Sequence, residues 1–236
     1  MGFDGPADAR IDDGIDARID DGIDATACAY QLCDDFEGDA LASVWGAPTG
    51  TVAVDSSVSH SGVSSVHFHT PAVGSNTDLR ASITDTSVIA LGSAELHVRM
   101  FMRFAGVPAT NNEGPILSTA ESVTDFENSI ILRPAELALY NQWNDSSTGN
   151  AMPVPTDTWL CVLLTLDRST TTSGALALGG DVAPITMPNI QTDGPPLTWL
   201  SFGIIMYAAR VQANQPALDV WMDDLLVADT ELSCSD

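Results

Sequence analysis

The sequence predicts an all-β protein built as an antiparallel sandwich, and three observations carry that expectation. Short runs of β-branched, aromatic and alternating apolar residues recur from Cys33 to Ala228, each bounded by Gly, Pro, Asn or Ser. No amphipathic stretch of three helical turns interrupts them, which argues against a parallel sheet with crossover helices. The 236 residues are 44% hydrophobic with mean hydropathy +0.11, enough apolar side chain for one substantial core.

Along the chain, residues 8–23 are two copies of Asp-Ala-Arg-Ile-Asp-Asp-Gly-Ile, and Asp24-Ala25 starts a third. Ile11, Ile15, Ile19 and Ile23 would line a narrow helical stripe, but Gly14 and Gly22 each cost up to about 1 kcal/mol relative to Ala, and the Asp side chains repel. A solvated tether is therefore expected over residues 1–27, ahead of a sandwich domain over 28–236. The repeat is no loop-type calcium site, because it lacks the bidentate Glu that closes one.

Strands are expected at 33–37, 51–55, 65–70, 79–85, 95–104, 115–119, 129–133, 137–141, 159–167, 175–178, 198–207 and 218–228. The run 95–104 is the clearest. Leu96, Val98, Met100, Met102 and Phe104 fall on one face, and Glu95, His97, Arg99, Phe101 and Arg103 on the other. The same split sets Leu79, Ala81 and Ile83 against Arg80, Ser82 and Thr84, and Val66 and Phe68 against His67 and His69. The expectation is one curved sheet with a polar face bearing His and Arg, suited to an extended ligand.

Charge narrows the function classes. Thirty-two acidic residues oppose eight arginines, no lysine occurs, and the formal net charge is −24. Phosphate recognition needs clustered cations, so nucleic acids and anionic membrane surfaces are disfavoured as partners. Lysine absence fits coding from a high-GC genome better than salt adaptation, since much of the acidity sits in the leader. No run of about 18 apolar residues could span a membrane. The start Met1-Gly2-Phe3-Asp4 has no charged and apolar signal regions, so any signal peptide is expected to have been removed. Cys28, Cys33, Cys161 and Cys234 have no zinc-like spacing and read as disulfides, which places the protein in an oxidising compartment, secreted or on a cell surface.

Three segments carry a family resemblance: Asp34-Asp35-Phe36-Glu37-Gly38 with Trp45, then Val58 through Val66, and Val220-Trp221-Met222-Asp223-Asp224-Leu225-Leu226-Val227. In this order they resemble the concanavalin A-like jelly rolls, which include laminin G-like domains, carbohydrate-binding modules and some polysaccharide lyases. The resemblance covers residues 33–234 and implies a jelly-roll sandwich and a polysaccharide or glycoconjugate ligand. Because first and last strands of a jelly roll tend to be neighbours, it also implies that Cys234 is bonded to Cys28 or Cys33. The rival pairing is Cys28 to Cys33 with Cys161 to Cys234. The Phe36-Glu37 opening and Asp223-Asp224 ending further imply a structural calcium ion held by Glu37 and one of Asp223 and Asp224. Carbonyls near Ser61 and Gly62 would complete the shell, and strand alternation would let only one of the two aspartates face it.

Catalytic patterns are incomplete. The Glu-x-Asp-x-x-Glu strand of jelly-roll glucanases is absent. Asn76-Thr77-Asp78-Leu79-Arg80 is similar to the Arg-x-Glu-Leu-Arg strand of alginate lyase-like enzymes. However, Ile116-Leu117-Ser118 stands where Gln-x-His is expected, and Ser201 to Tyr207 carries no lysine. No Gly-x-Ser-x-Gly or phosphate loop occurs. His67, His69 and His97 could present imidazoles to zinc or copper, although a solvated polar face is the plainer reading. Trp159, Trp199 and Trp221 read as core. The expected ligand-binding set is Arg80, His97, Arg99, Tyr140 and Trp143, in a non-catalytic glycan-binding or display module. The competing readings are a degenerate lyase on an acidic polysaccharide, using Arg80, His97 and Tyr207, and a purely structural surface protein.

Overall fold

The computed structural model describes residues 30–85, 94–120, 127–169, 174–190, 192, 197 and 199–235. The expected leader over 1–27 and Cys28 lie outside them. The described strands are β1 (Leu32–Asp34), β2 (Thr51–Asp55), β3 (Ser65–Thr70), β4 (Leu79–Asp85), β5 (Glu95–Phe104), β6 (Gly114–Ala120) and β7 (Glu127–Leu132). They continue with β8 (Leu137–Asn141), β9 (Ser146–Gly149), β10 (Trp159–Asp167), β11 (Gly174–Gly180), β12 (Ile185–Ile190), β13 (Trp199–Met206) and β14 (Leu218–Ala228). A single 3-10 turn, Ala208–Arg210, follows β13. All pairings are antiparallel and form two layers. An eight-stranded sheet runs β12-β11-β10-β5-β14-β3-β2, with β1 also on β14, and a six-stranded sheet runs β4-β13-β6-β7-β8-β9.

The core between the layers follows from alternation. Leu96, Val98, Met100, Met102 and Phe104 of β5 face Leu200, Phe202, Ile204 and Met206 of β13 across it, all buried. Gly203 lies among them with φ +125, and a Cβ there would stand 2.2 Å from the Ala81 carbonyl oxygen, so β13 can approach β4 this closely only with glycine. Two strands were not expected. β9 is Ser-Ser-Thr-Gly, whose composition reads as a turn. β12 contains Pro188 and lies at a sheet edge, where proline's missing N–H costs no ladder bond.

The polar face expected to be continuous is divided. β4, with Arg80, belongs to the six-stranded sheet, whereas β3 and β5 belong to the other, so Arg80 and His97 lie on opposite outer surfaces of the sandwich. Alternation specifies a strand's two faces but not its sheet. Arg99 and His97 are also dry, at 2% and 6% exposure. Register places Arg99 between Leu226 of β14 and Leu163 of β10, and a small apolar cluster of Cys33, Leu226, Ala228 and Leu232 covers that part of the face.

The covering tail is pinned by a disulfide from Cys234 to Cys161, and this corrects the pairing implied by the resemblance. The first and last strands are indeed neighbours, with Cys33 opposite Leu226. Cys234 lies beyond the end of β14, however, where the chain has crossed β5 to reach β10. Cys33 is also disulfide-bonded, to a partner outside the described residues.

β14 contains a bulge. Leu218, Val220 and Met222 face the core and so do Leu225 and Val227, a step of three between the two sets. The register with β5 slips by one residue between Asp223 and Leu226, and Asp224 takes φ +47.

Candidate functional site

The outer face of the six-stranded sheet carries a cleft of about 600 Å³. Alternation builds its floor: Leu200, Phe202, Ile204 and Met206 turn inward, so Trp199 faces out with Pro115 of β6 and Ile131 of β7. One wall is Arg80 of β4 and Tyr207, which follows β13; the Arg80 guanidinium carbon lies 5.2 Å from the Tyr207 ring centroid. The opposing side is Tyr140 of β8 with Gln142, and Arg210 from the 3-10 turn sits 5.7 Å over the Tyr140 ring. Rings with cations over their faces are held in fixed orientations by the quadrupole attraction.

Electrostatics differ between the two arginines. Glu113 accepts from Arg210 at 2.7 Å and from Arg133 at 2.7 Å, which ties Arg210 into an ion-pair network. Arg80 has no ion-pair partner among the described residues and is exposed. Burial pushes the Tyr140 phenol above its usual range, and its hydrogen bond to Asp145, 3.1 Å, adds to the shift. The ring therefore serves as a stacking surface and hydroxyl donor at neutral pH, not as a base.

Arg80 and Tyr140 from the expected ligand set thus meet in one cleft, and Tyr207 joins them. His97 and Arg99 do not, being on the other sheet. Trp143 lies in the turn after β8 and is half-buried outside the cleft lining. Trp199, Gln142, Glu113 and Arg210 were not anticipated. Alternation within 199–206 carried the signal for Trp199, whereas Arg210 depends on how the chain turns after β13.

The expected calcium residues also gather, but as a hydrogen-bonded closure. The Val63 N–H donates to both Glu37 oxygens at 2.9 Å, and the Ser64 N–H to Oε1 at 3.1 Å. Asp223 Oδ2 accepts from the His60 and Ser61 amides at 2.8 and 3.3 Å. Asp224 accepts from the Ser61 hydroxyl at 2.7 Å and lies 2.6 Å from His60 Nδ1. The bulge lets both aspartates meet the 60–61 turn, where simple alternation allowed one. Burial, augmented by the Asp224 charge, pushes Asp223 up to about 7 despite these amide donors. Amide N–H groups, positive ends of their dipoles, point at the carboxylates from this turn. In this arrangement the carboxylate oxygens are taken up by amide, hydroxyl and imidazole partners, whereas calcium would need six to eight oxygens turned to one point.

His67 and His69 stand together with Asp219 on the outer face of the eight-stranded sheet, away from His97.

No protein-family model and no curated protein matches the chain. Solved structures do. Cellulose induced protein, Cip1, aligns with TM-score 0.63 at 18% identity over 86% of this chain and 99% of its own. The fold is a jelly-roll β-sandwich. An endo-beta-1,4-glucuronan lyase from the fungus Trichoderma reesei aligns with TM-score 0.63 at 17% identity, covering 81% of this chain and 94% of its own. Alginate lyase vAL-1 from Chlorella virus aligns with TM-score 0.56 at 10% identity, over 78% and 93%. At these identities the likeness extends to the jelly roll itself. No helix among the described residues is long and apolar enough to cross a membrane.

Proposed function

We propose that this jelly roll is an exported glycan-binding module whose cleft on the six-stranded sheet takes an extended polysaccharide. The observation that carries the reading is the cleft itself: Tyr140, Tyr207 and Trp199 offer ring surfaces, Gln142 offers both a donor and an acceptor, and Arg80 carries a charge with no carboxylate partner among the described residues. Sugar rings present apolar faces to aromatic rings and hydroxyls to amides, and a guanidinium matches a uronate carboxylate in a bidentate fork. The disulfide supports export, and the named structural neighbours act on or are induced by polysaccharides.

The test is calorimetric titration with cellulose, glucuronan and alginate oligosaccharides. Arg80→Ala and Tyr140→Ala are expected to weaken binding at least about tenfold, a loss of about 1.4 kcal/mol, with unchanged circular dichroism. Binding that ignores both substitutions, or no binding tighter than about 1 mM, refutes the reading.

The contact of Arg80 with Tyr207 favours one second reading, β-elimination on a uronate. Arg80 would neutralise the carboxylate while the Tyr207 phenolate takes the proton beside it; the bond to the leaving oxygen breaks as the double bond forms, and that oxygen is then protonated. Ultraviolet absorbance of the unsaturated product, lost in Tyr207→Phe, would establish this activity. Absence of that absorbance with both glucuronan and alginate leaves binding alone.

A further inference from the structure

On the outer face of the eight-stranded sheet, β3 aims His67 and His69 to one side, since residues two apart share a face. β14 sets Asp219 directly opposite His69, and Trp221 opposite His67. His67 Nε2 and His69 Nδ1 lie 2.8 and 2.7 Å from the same Asp219 oxygen, Oδ1. One nitrogen or oxygen from each residue falls within 4.8 Å of the others, the only such group of three among the described residues. On the far side of β3, Thr51 and Ala53 of β2 stand opposite His69 and His67, small residues beside the imidazoles. All three donors remain partly open to solvent.

The surroundings fix the donors. The His67 ring stacks on Trp221 with centroids 4.6 Å apart and planes 9° from parallel, and Trp221 is itself held by a 2.9 Å hydrogen bond from Nε1 to Asp55. Although burial would push the Asp219 carboxyl up, hydrogen bonds from His69 and His67 outweigh it and hold the group below the usual carboxylate range. The nearby cation, Arg103, lies over Trp221 at 5.0 Å and is paired with Asp157 at 2.9 Å.

We propose that His67, His69 and Asp219 form a binding site for a divalent transition-metal ion, zinc in the first instance, which clamps β3 to β14. Two imidazole nitrogens and one carboxylate oxygen, with the outward position open, are a donor set that suits zinc and excludes the oxygen-seeking calcium and magnesium. The present spacings are those of hydrogen bonds. Zinc at about 2.0–2.2 Å from each donor would replace the shared protons and part the donors by a few tenths of an ångström, within reach of side-chain torsions. The site is on the opposite sheet from the glycan cleft and does not depend on that reading.

The experiment uses the full metal-free chain, titrated with zinc chloride in buffer containing millimolar magnesium to occupy carboxylate-only sites. One zinc per chain is expected, with affinity reduced at least tenfold by His69→Gln and by Asp219→Asn. Copper(II) loaded in its place should show nitrogen splitting from two imidazoles in its electron paramagnetic resonance spectrum, and His67→Gln/His69→Gln should abolish it. His69 is the more exposed imidazole and has no aromatic stack in this structure, so His69→Gln keeps the test valid if His67→Gln fails to fold. Equal zinc affinity in the native chain and the His69→Gln variant overturns the proposal, as does nitrogen splitting that survives in a folded double variant.

Discussion

Replacing Cys161 and Cys234 together by alanine isolates what the tail disulfide contributes. The bond spans 73 residues, enclosing β10 through β14. Loop-closure entropy for that length gives about 4 kcal/mol of stabilisation through the unfolded chain, against about 5 kcal/mol for the loop of roughly 200 residues that an N-terminal partner would have closed. Alanine fits the fully buried position of Cys161 without overpacking. For a chain of this size, the loss should lower the melting temperature by roughly 10 to 15 °C. Urea titration under non-reducing conditions, followed by tryptophan fluorescence, measures it. The second disulfide, at Cys33, stays intact in both proteins. A variant that melts within about 2 °C of the native chain would refute the reasoning. It would mean that the bond only tethers the short segment after β14 and that the unfolded ensemble is little constrained by it.

Gly203→Ala should cost about 3 kcal/mol or more, because the added carbon meets the Ala81 oxygen at 2.2 Å and φ +125 is strained for any side chain; a loss below about 1 kcal/mol in urea melts counts against it. Asp34 is raised above its ordinary value of 3.8 by burial, only partly offset by hydrogen bonds from Trp45 and Phe36. The folded state therefore holds that proton more tightly than the unfolded state, and this contribution to stability is full below pH 3.8 and falls as pH rises through the folded value. Asp34→Asn should flatten that part of the pH–stability curve, and an unchanged slope refutes it. Adding calcium to the metal-free protein is expected to leave its melting temperature unchanged; a gain approaching about 2.7 kcal/mol at a hundred times the dissociation constant would show that the 60–64 turn rearranges around an ion.

What could be read in the sequence was whatever depends on neighbours along the chain. Alternation in 95–104 gave the inward row of β5 residue by residue, and the same rule placed Arg80 on an outer face. It could not say which outer face, because sheet membership is set by pairings between distant segments, and Arg80 and His97 part there. Tyr140 was legible as an aromatic beside amides, whereas Arg210 required the 3-10 turn that brings it over the ring. Trp199 was misread as core because apolar character outweighed its position in the alternation. The Cys234 pairing failed for a related reason: adjacency of β1 and β14 was right, but six residues of chain beyond β14 carry the sulfur two strands further.

The extra residue in β14 acts as a phase shifter. Ahead of Asp224 the strand shows Asp219 and Trp221 to the outside, and beyond it Leu226 and Ala228. One strand thus divides a continuous sheet surface into a wet field bordered by β3 and a dry field bordered by β1. Straightening the bulge with every residue kept would invert the second half, sending Leu225 and Val227 outward and the residues that roof Arg99 into the core. Deleting Asp224 would instead restore plain alternation and leave them as they are. What the extra residue adds at the border between the two fields is a place where two successive aspartates reach the 60–61 turn.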